Sequence, residues 1–390
     1  MITFDEAYRH VSQLAVPLGS EHVALAEAAG RVLAAAVTAR LDAPRFDQSV
    51  MDGYAVRSAD LPGRLTVIGE SLPGAAFAGT VLPGTCVRIL TGAPVPAGAD
   101  RVVIQEIVER DGHLATIATR PEDGAYIRPV GSDIRAGEVL LNSGQHLSAR
   151  AMVAAAAADV ASLEVVRRPR IAILATGDEL TEPGKAHSNA HAVPESVSFG
   201  IAALVDDWGG EIVGVRRLRD ELDTLKAAAR EALGHADLVV VTGGASVGDR
   251  DFAQAMFAGP GLETIFSKVA MKPGKPVWLA RSGGRLVIGL PGNPTSAMVT
   301  GRLLLAPLVA GMAGRSGAAE WMNVPLAGPL PATGDRETFV RACQTEGGAV
   351  PVTNQDSGSQ SALIASDLLI RCAPNSPSAS PGTEVPALRF

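Results

Sequence analysis

Only five lysines stand among the 34 basic residues of this 390-residue chain, and three of them, Lys268, Lys272 and Lys275, fall within eight positions. Pro273 and Pro276 stiffen the same stretch, so its ammonium groups are held in place rather than left to wander. A fixed cationic loop suits an oxyanion, and sulfate, phosphate or molybdate would each satisfy it. A solvated surface loop is the plainer reading of the same residues. A second stretch, Gly243-Gly244-Ala245-Ser246-Val247-Gly248-Asp249-Arg250-Asp251, can bring bare backbone N–H groups close to phosphate oxygens. Glycine also serves merely to turn a chain, so the stretch alone decides little. Glu179, in Thr176-Gly177-Asp178-Glu179-Leu180, and Asp251 could share a magnesium ion, which takes one or two protein carboxylates beside phosphate oxygens and water. Taken singly, Asp251 also reads as a helix N-cap and Glu179 as a solvated loop residue. Asp220 is a weaker candidate of the same kind.

Those residues need strand ends to hold them. From Arg168-Pro169-Arg170 onward the pattern alternates: strand 170–175, helix 199–208, strand 212–215, helix 222–233, strand 237–241, strand 286–290 and a long helix 294–310. Such alternation predicts a parallel sheet covered on both faces, with ligands beyond the carboxyl ends of its strands. Thr176, the glycine stretch from Gly243, and Pro291-Gly292-Asn293-Pro294 each follow one of these strands. Upstream, helical periodicity over 4–15 and a second helix over 25–36 give way to short β-branched runs at 65–68, 86–90, 101–108 and 114–118, then a helix over 148–159. Short strands and turns return after 318 and read as a small β-barrel or sandwich. The fold class expected is therefore α/β multidomain, with a three-layer α/β domain between β-rich and helical parts.

Composition narrows the function. A net charge of −7 and an aromatic content of 4% argue against nucleic acid as a partner. Three widely spaced cysteines without a CxxC pair point to a reducing, cytoplasmic setting. The most apolar run, 151–158, is too short to span a membrane. No histidine lies in the three loops and no Gly-x4-Gly-Lys-Ser/Thr loop exists, so positioning and electrostatics must carry the chemistry.

The separated motifs share one pattern. Ser49-Val50-Met51-Asp52-Gly53-Tyr54-Ala55, Ile89-Leu90-Thr91-Gly92-Ala93-Pro94-Val95-Pro96, Thr176–Leu180, the glycine stretch, Lys272-Pro273-Gly274-Lys275-Pro276 and Leu290–Pro294 resemble, in order and spacing, the molybdopterin molybdenumtransferase (MoeA, gephyrin E-domain) family. The resemblance implies a split helical domain over 1–40 and 139–167, an inserted β domain over 41–138, an α/β molybdopterin-binding domain over 168–317 and a C-terminal β-barrel over 318–390. It implies a homodimer that takes adenylylated molybdopterin and molybdate as substrates and releases AMP. On that pattern Glu179 and Asp251 hold Mg²⁺. Thr176, Gly243, Gly244, Ser246, Gly248 and Pro291–Pro294 bind the nucleotide-linked pterin, and Lys268, Lys272 and Lys275 meet anionic charge. Asp52, Thr91 and Asp133 arrive from the dimer partner, and the run Arg336-Glu337-Thr338-Phe339-Val340-Arg341 with Asn354-Gln355-Asp356-Ser357 resembles the barrel's anion-contacting edge, Arg336 and Ser357 being its contacts. A molybdopterin adenylyltransferase and molybdoenzymes are the protein partners this reading allows. The chain departs from the pattern at Glu195-Ser196-Val197, where many members carry Asp-Ser-Asn. A non-catalytic carrier or scaffold of the same fold is the alternative.

Overall fold

The computed structural model of the protein describes residues 1–122, 124–243, 252–259 and 261–390. Backbone contacts divide the chain into two compact units, one of Met1–Glu21, Gly30–Val32 and Val165–Phe390, the other of His22–Ala29 and Leu33–Glu164.

In the larger unit, six strands order as Glu211–Leu218, Arg170–Thr176, Leu238–Thr242, Arg285–Leu290, Trp278–Ser282 and Leu262–Phe266. The first four are parallel and the last two run antiparallel to their neighbours. The expectation of a purely parallel sheet thus needs correction. Trp278–Ser282 reaches Arg285–Leu290 through Gly283 and Gly284, both at positive φ, a tight hairpin that needs no crossover helix.

The two faces carry separate cores. Ile171, Ile173, Val240 and Ile288 pack on one side with helix Val197–Asp207 and the apolar helix 294–312; Leu174, Val239 and Val241 face helix Leu222–His235 on the other. The first helix, Phe4–Leu14, starts at a capping box in which Thr3 and Glu6 bond each other's backbone, and it buries Phe4, Ala7 and Val11 in the first of these cores.

One long helix was expected after Leu290. Instead it runs Pro294–Thr300, opens into a π turn over Gly301–Leu305, and resumes as Ala306–Met312. Pro307 explains the interruption, because it has no N–H to donate and its ring would strike the carbonyl four residues back; the wider turn just before it relieves both. Among the described residues the helical run Pro294–Met312 is long and apolar enough to cross a membrane, but 89 % of its most apolar stretch is buried inside the protein, as in a core helix.

The C-terminal strands close on themselves. Met322–Pro325 pairs Glu384–Arg389, which pairs Leu368–Cys372, then Glu337–Thr345, then Gly348–Pro351; Ala349 bridges back to Leu326. Val324, Leu326, Val340, Ile370 and Ala387 fill the interior of this barrel.

The smaller unit holds another six-stranded sheet, ordered Arg101–Ile104, Gly53–Val56, Thr85–Ile89, Gly63–Ser71, Leu114–Ile117 and Glu109–Asp111. Helix Ala149–Ala157 begins at Ser148, whose hydroxyl accepts the Ala151 N–H at 3.4 Å. The second helix expected over 25–36 does not form; only Leu25–Glu27 makes a 3₁₀ turn. Gly30 sits at φ +75°, and the Leu33 and Ala34 N–H groups donate to Gln145 and Glu164 carbonyls rather than to the preceding turn. Alanine-rich composition favours a helix there, but tertiary partners take its backbone donors.

Candidate functional site at the strand ends

Three strands finish at one point in the larger unit. Thr176 ends one, and its hydroxyl donates to the Thr242 carbonyl at 3.4 Å. Gly243, the next residue, has φ +88°, and a Cβ there would lie 2.2 Å from the Thr176 carbonyl oxygen. A Cβ on Gly292 would in turn lie 3.1 Å from the Gly243 Cα. Gly243 is therefore required by packing, and Gly292 stands tightly against it, so three backbones meet with little room for a side chain.

Above this point opens a cavity of about 490 Å³, lined among others by Thr176, Glu179, Val197, Asp220, Gly243 and Asn293. The Gly177 N–H donates to Leu218, and the Asp220 N–H to the Asp178 carboxylate at 3.2 Å, which ties two strand-end loops together. The chain from Glu179 folds back so that Leu180–Thr181 pairs in parallel with Val193–Pro194, bringing both strands into the lining. Glu195 is buried, and its two oxygens accept the Ser198 N–H and hydroxyl at the start of helix Val197–Asp207. The departure at Glu195-Ser196-Val197 thus falls on a helix start: Glu195 caps it, and Val197 presents an apolar wall to the cavity.

The described lining carries Glu179, Asp220 and Glu195 and no basic side chain. Glu195 is spent on the cap. Glu179 is exposed in the lining and can meet a ligand or a cation. No cluster of three or more His, Cys, Asp or Glu able to hold a metal exists among the described residues.

The barrel contributes the other side. The Asn293 amide donates to the Ser357 hydroxyl at 3.3 Å, the Thr295 hydroxyl to the Ser359 carbonyl at 3.1 Å, and Gln360 lines the cavity. Arg341 underlies this contact. Its guanidinium, 1 % exposed, donates to the carbonyls of Asn354 and Asp356 at 3.2 and 3.0 Å, while its Nε has no partner.

Of the residues singled out in the sequence, Thr176, Glu179, Asp220, Gly243, Pro291, Gly292, Asn293 and Pro294 share this cavity. Ser357 touches it through Asn293. Lys272 lines a separate cavity of about 580 Å³ walled by barrel residues such as Thr338, Val350 and Gln355. Lys268 and Lys275 are exposed and line neither. Arg336 stands ahead of the barrel strand and donates to the Met271 carbonyl at 3.3 Å. Gly244, Ser246, Gly248 and Asp251 lie outside the described residues.

In the smaller unit, Asp52 accepts the Thr91 N–H and hydroxyl on one oxygen at 2.7 and 2.8 Å. Those two bonds hold its carboxyl below the ordinary value of 3.8. Asp133 is exposed and pairs with Arg128 at 3.3 Å.

Sequence reasoning missed Ser296 and Gln360, which carry no local signal. Arg341, inside the matched barrel-edge run, is buried instead of edge-facing: strand alternation sets it on the same face as the core residue Phe339, where an arginine must find partners.

Known proteins share this arrangement from end to end. Residues 2–158 match the MoeA N-terminal region (domain I and II), residues 172–311 a probable molybdopterin binding domain, and residues 323–390 the MoeA C-terminal region (domain IV). The molybdopterin molybdenumtransferase of Haemophilus influenzae is 36 % identical over 330 residues, spanning 83 % of this chain and 80 % of that one. Its counterpart in Bacillus subtilis is 36 % identical over 327 residues, 79 % and 74 % of the two chains. The crystal structure of the molybdopterin biosynthesis MoeA protein from Pyrococcus horikoshii superposes with a TM-score of 0.83 at 27 % identity, covering 100 % of both chains. Agreement of strand-end loops, barrel and inserted sheet with these relatives leads to one conclusion: the chain belongs to the molybdopterin molybdenumtransferase family.

Proposed function

We propose that this chain inserts molybdate into adenylylated molybdopterin with release of AMP, as a step of molybdenum cofactor biosynthesis. The observation that carries the reading is the meeting of Thr176, Gly243 and Gly292 beneath a cavity that also holds Glu179 and Asp220, inside the stretch similar to a molybdopterin binding domain. A carrier or scaffold would need no carboxylates facing an anionic ligand.

Those carboxylates fit magnesium. They are hard oxygen donors of the kind that magnesium takes beside phosphate oxygens and water. Glu179 would hold the ion together with Asp251, the pair singled out in the sequence. Bound there, it would neutralise charge developing on the phosphoanhydride oxygens. The chain's own part is to fix the pterin nucleotide against the bare backbone at Gly243 and Gly292, and to exclude water with the Val193–Val197 wall. The exposed ammonium groups of Lys268, Lys272 and Lys275 supply positive charge for molybdate.

No histidine lines the described cavity to deprotonate a side-chain hydroxyl. An oxygen already ionised at neutral pH is the better nucleophile, and molybdate brings one. In this step a molybdate oxygen forms the new bond to the adenylyl phosphorus. The phosphoanhydride bond breaks, and the molybdopterin phosphate leaves with the electron pair; the dithiolene sulfurs then bind molybdenum as the bridging Mo–O bond breaks, so AMP departs with the molybdate oxygen. The working unit is a homodimer in which a second copy supplies Asp52, Thr91 and Asp133.

Incubation with ¹⁸O-molybdate tests this directly. AMP is expected only when molybdate is present, carrying one label per molecule by mass spectrometry. Unlabelled AMP would move the attack to water, and binding without any AMP would make the chain a carrier.

A further inference from the structure

Asn293 stands at the N-cap of helix Pro294–Thr300, a place where asparagine ordinarily accepts a hydrogen bond from the helix's own first turn. Here the side chain makes no such bond. Its amide nitrogen turns to the Ser357 hydroxyl at 3.3 Å, and a Cβ built on the next residue, Gly358, would lie 3.9 Å from that nitrogen. The carbonyl oxygen of the same amide is buried and has no hydrogen-bond partner. Asn293 is one of the residues that line the strand-end cavity, so a ligand seated there would lie beside this amide.

An unpaired buried acceptor is costly, and proteins keep one where a ligand supplies the missing donor. An amide oxygen accepts and cannot donate, so a phosphate or molybdate oxygen would be repelled there. What fits is an N–H on the edge of a fused-ring heterocycle. Both the pterin and the adenine of the proposed substrate carry such an edge. Val197, Leu180 and Pro194 line the same cavity and offer apolar surface to a flat ring.

We propose that Asn293 is a specificity-determining residue whose carbonyl oxygen accepts an N–H of an amino-heterocycle in the strand-end cavity. Ser357 acts as its positioning residue by occupying the amide nitrogen. The inference rests on the proposed function and assigns a part of the substrate to one atom.

Paired ligands read it out. 6-Hydroxymethylpterin is compared with 1,3-dimethyllumazine, which has no ring N–H and no amine, by fluorescence titration. AMP is compared with purine riboside 5′-monophosphate, which lacks the amine, by calorimetry. The intact protein should prefer the donor-bearing member of at least one pair by roughly tenfold or more, since the analogue leaves the acceptor unpaired. The pair that shows the preference identifies the ring. N293L should bring that ratio close to one. N293D keeps an acceptor oxygen and should retain the preference, and S357A should lower it to an intermediate value. Circular dichroism melts identify any variant that fails to fold, in which case N293D and S357A decide. An unchanged ratio in N293L, or no preference in either pair for the intact protein, overturns the proposal. Molybdate-dependent AMP release by the same intact protein is scored separately. Release without ring preference sinks this inference alone, whereas its absence sinks the underlying reading.

Discussion

The Asp52 carboxylate, half-buried in the smaller unit, receives two hydrogen bonds on one oxygen, both from Thr91. Its carboxyl is held below 3.8, so it stays ionised above that pH and any stabilisation it gives is lost as pH falls through the lowered value. Replacing Thr91 by Val removes the hydroxyl donor, and a ¹³C carboxyl NMR titration should show the Asp52 midpoint moving upward. An unmoved midpoint would mean that the hydroxyl contributes nothing. Arg341 makes a different residue-scale claim. Replacing it by Ala strips donors from the Asn354 and Asp356 carbonyls and empties a buried volume, for a loss of about 2–4 kcal/mol in urea denaturation. A loss under about 0.5 kcal/mol, the size of an ordinary surface substitution, would contradict this account of the barrel loop. The family pattern took in both Arg336 and Arg341, because motif order does not distinguish the roles of two arginines five residues apart. Only strand parity does, and parity needs the strand's true start at Glu337.

At the scale of elements, the strand-end loops were legible because glycine, proline and asparagine each leave a distinct backbone signature after an apolar run. Their closeness was not. That Gly243 touches Thr176 and Gly292 touches Gly243 depends on strand order, which periodicity does not encode. Gly243→Ala tests the contact: a residue with a Cβ is strained at φ +88° and collides with the Thr176 carbonyl. The variant should lose at least about 1–3 kcal/mol of stability. Wild-type stability and wild-type AMP release together would show that the three backbones do not meet. The antiparallel edge escaped notice for a related reason: Trp278–Ser282 is five residues long, follows a proline-rich loop, and lacks the helix that announces the parallel strands. The π turn had its own sign in Pro307, which a periodicity scan passes over.

For the whole molecule, the ends of the sheet divide the labour. Opposite the cavity, Asp237 precedes strand Leu238–Thr242 and accepts from Arg167 at 2.8 and 3.0 Å, from Arg285 at 3.2 Å and from the Arg170 N–H at 2.9 Å. Burial pushes its carboxyl up, but the Arg167 and Arg170 hydrogen bonds and the charges of Arg167 and Arg285 outweigh it, and the net direction is down. The sign follows: this cluster stabilises the protein above the ordinary value of 3.8 and ceases to as pH falls through the lowered one. Asp237→Asn should therefore flatten the acid side of a stability profile measured by denaturation from pH 3 to 7. Parallel profiles for variant and wild type would refute the assignment. The family pattern in the sequence reached as far as domain order and chemistry class. It did not reveal that the described cavity lining is acidic while the clustered lysines stand apart from it, because charge balance at a site depends on side-chain placement.

The central claim is that Glu179, beside the strand ends, serves AMP release and not the fold. Single-turnover AMP release from adenylylated molybdopterin, followed by chromatography with molybdate and Mg²⁺, measures this in wild type and in Glu179→Gln. The variant should melt at the wild-type temperature and release AMP about 10²–10³-fold more slowly, with the deficit growing as Mg²⁺ is lowered. Equal rates in the two proteins at limiting Mg²⁺ would contradict the account.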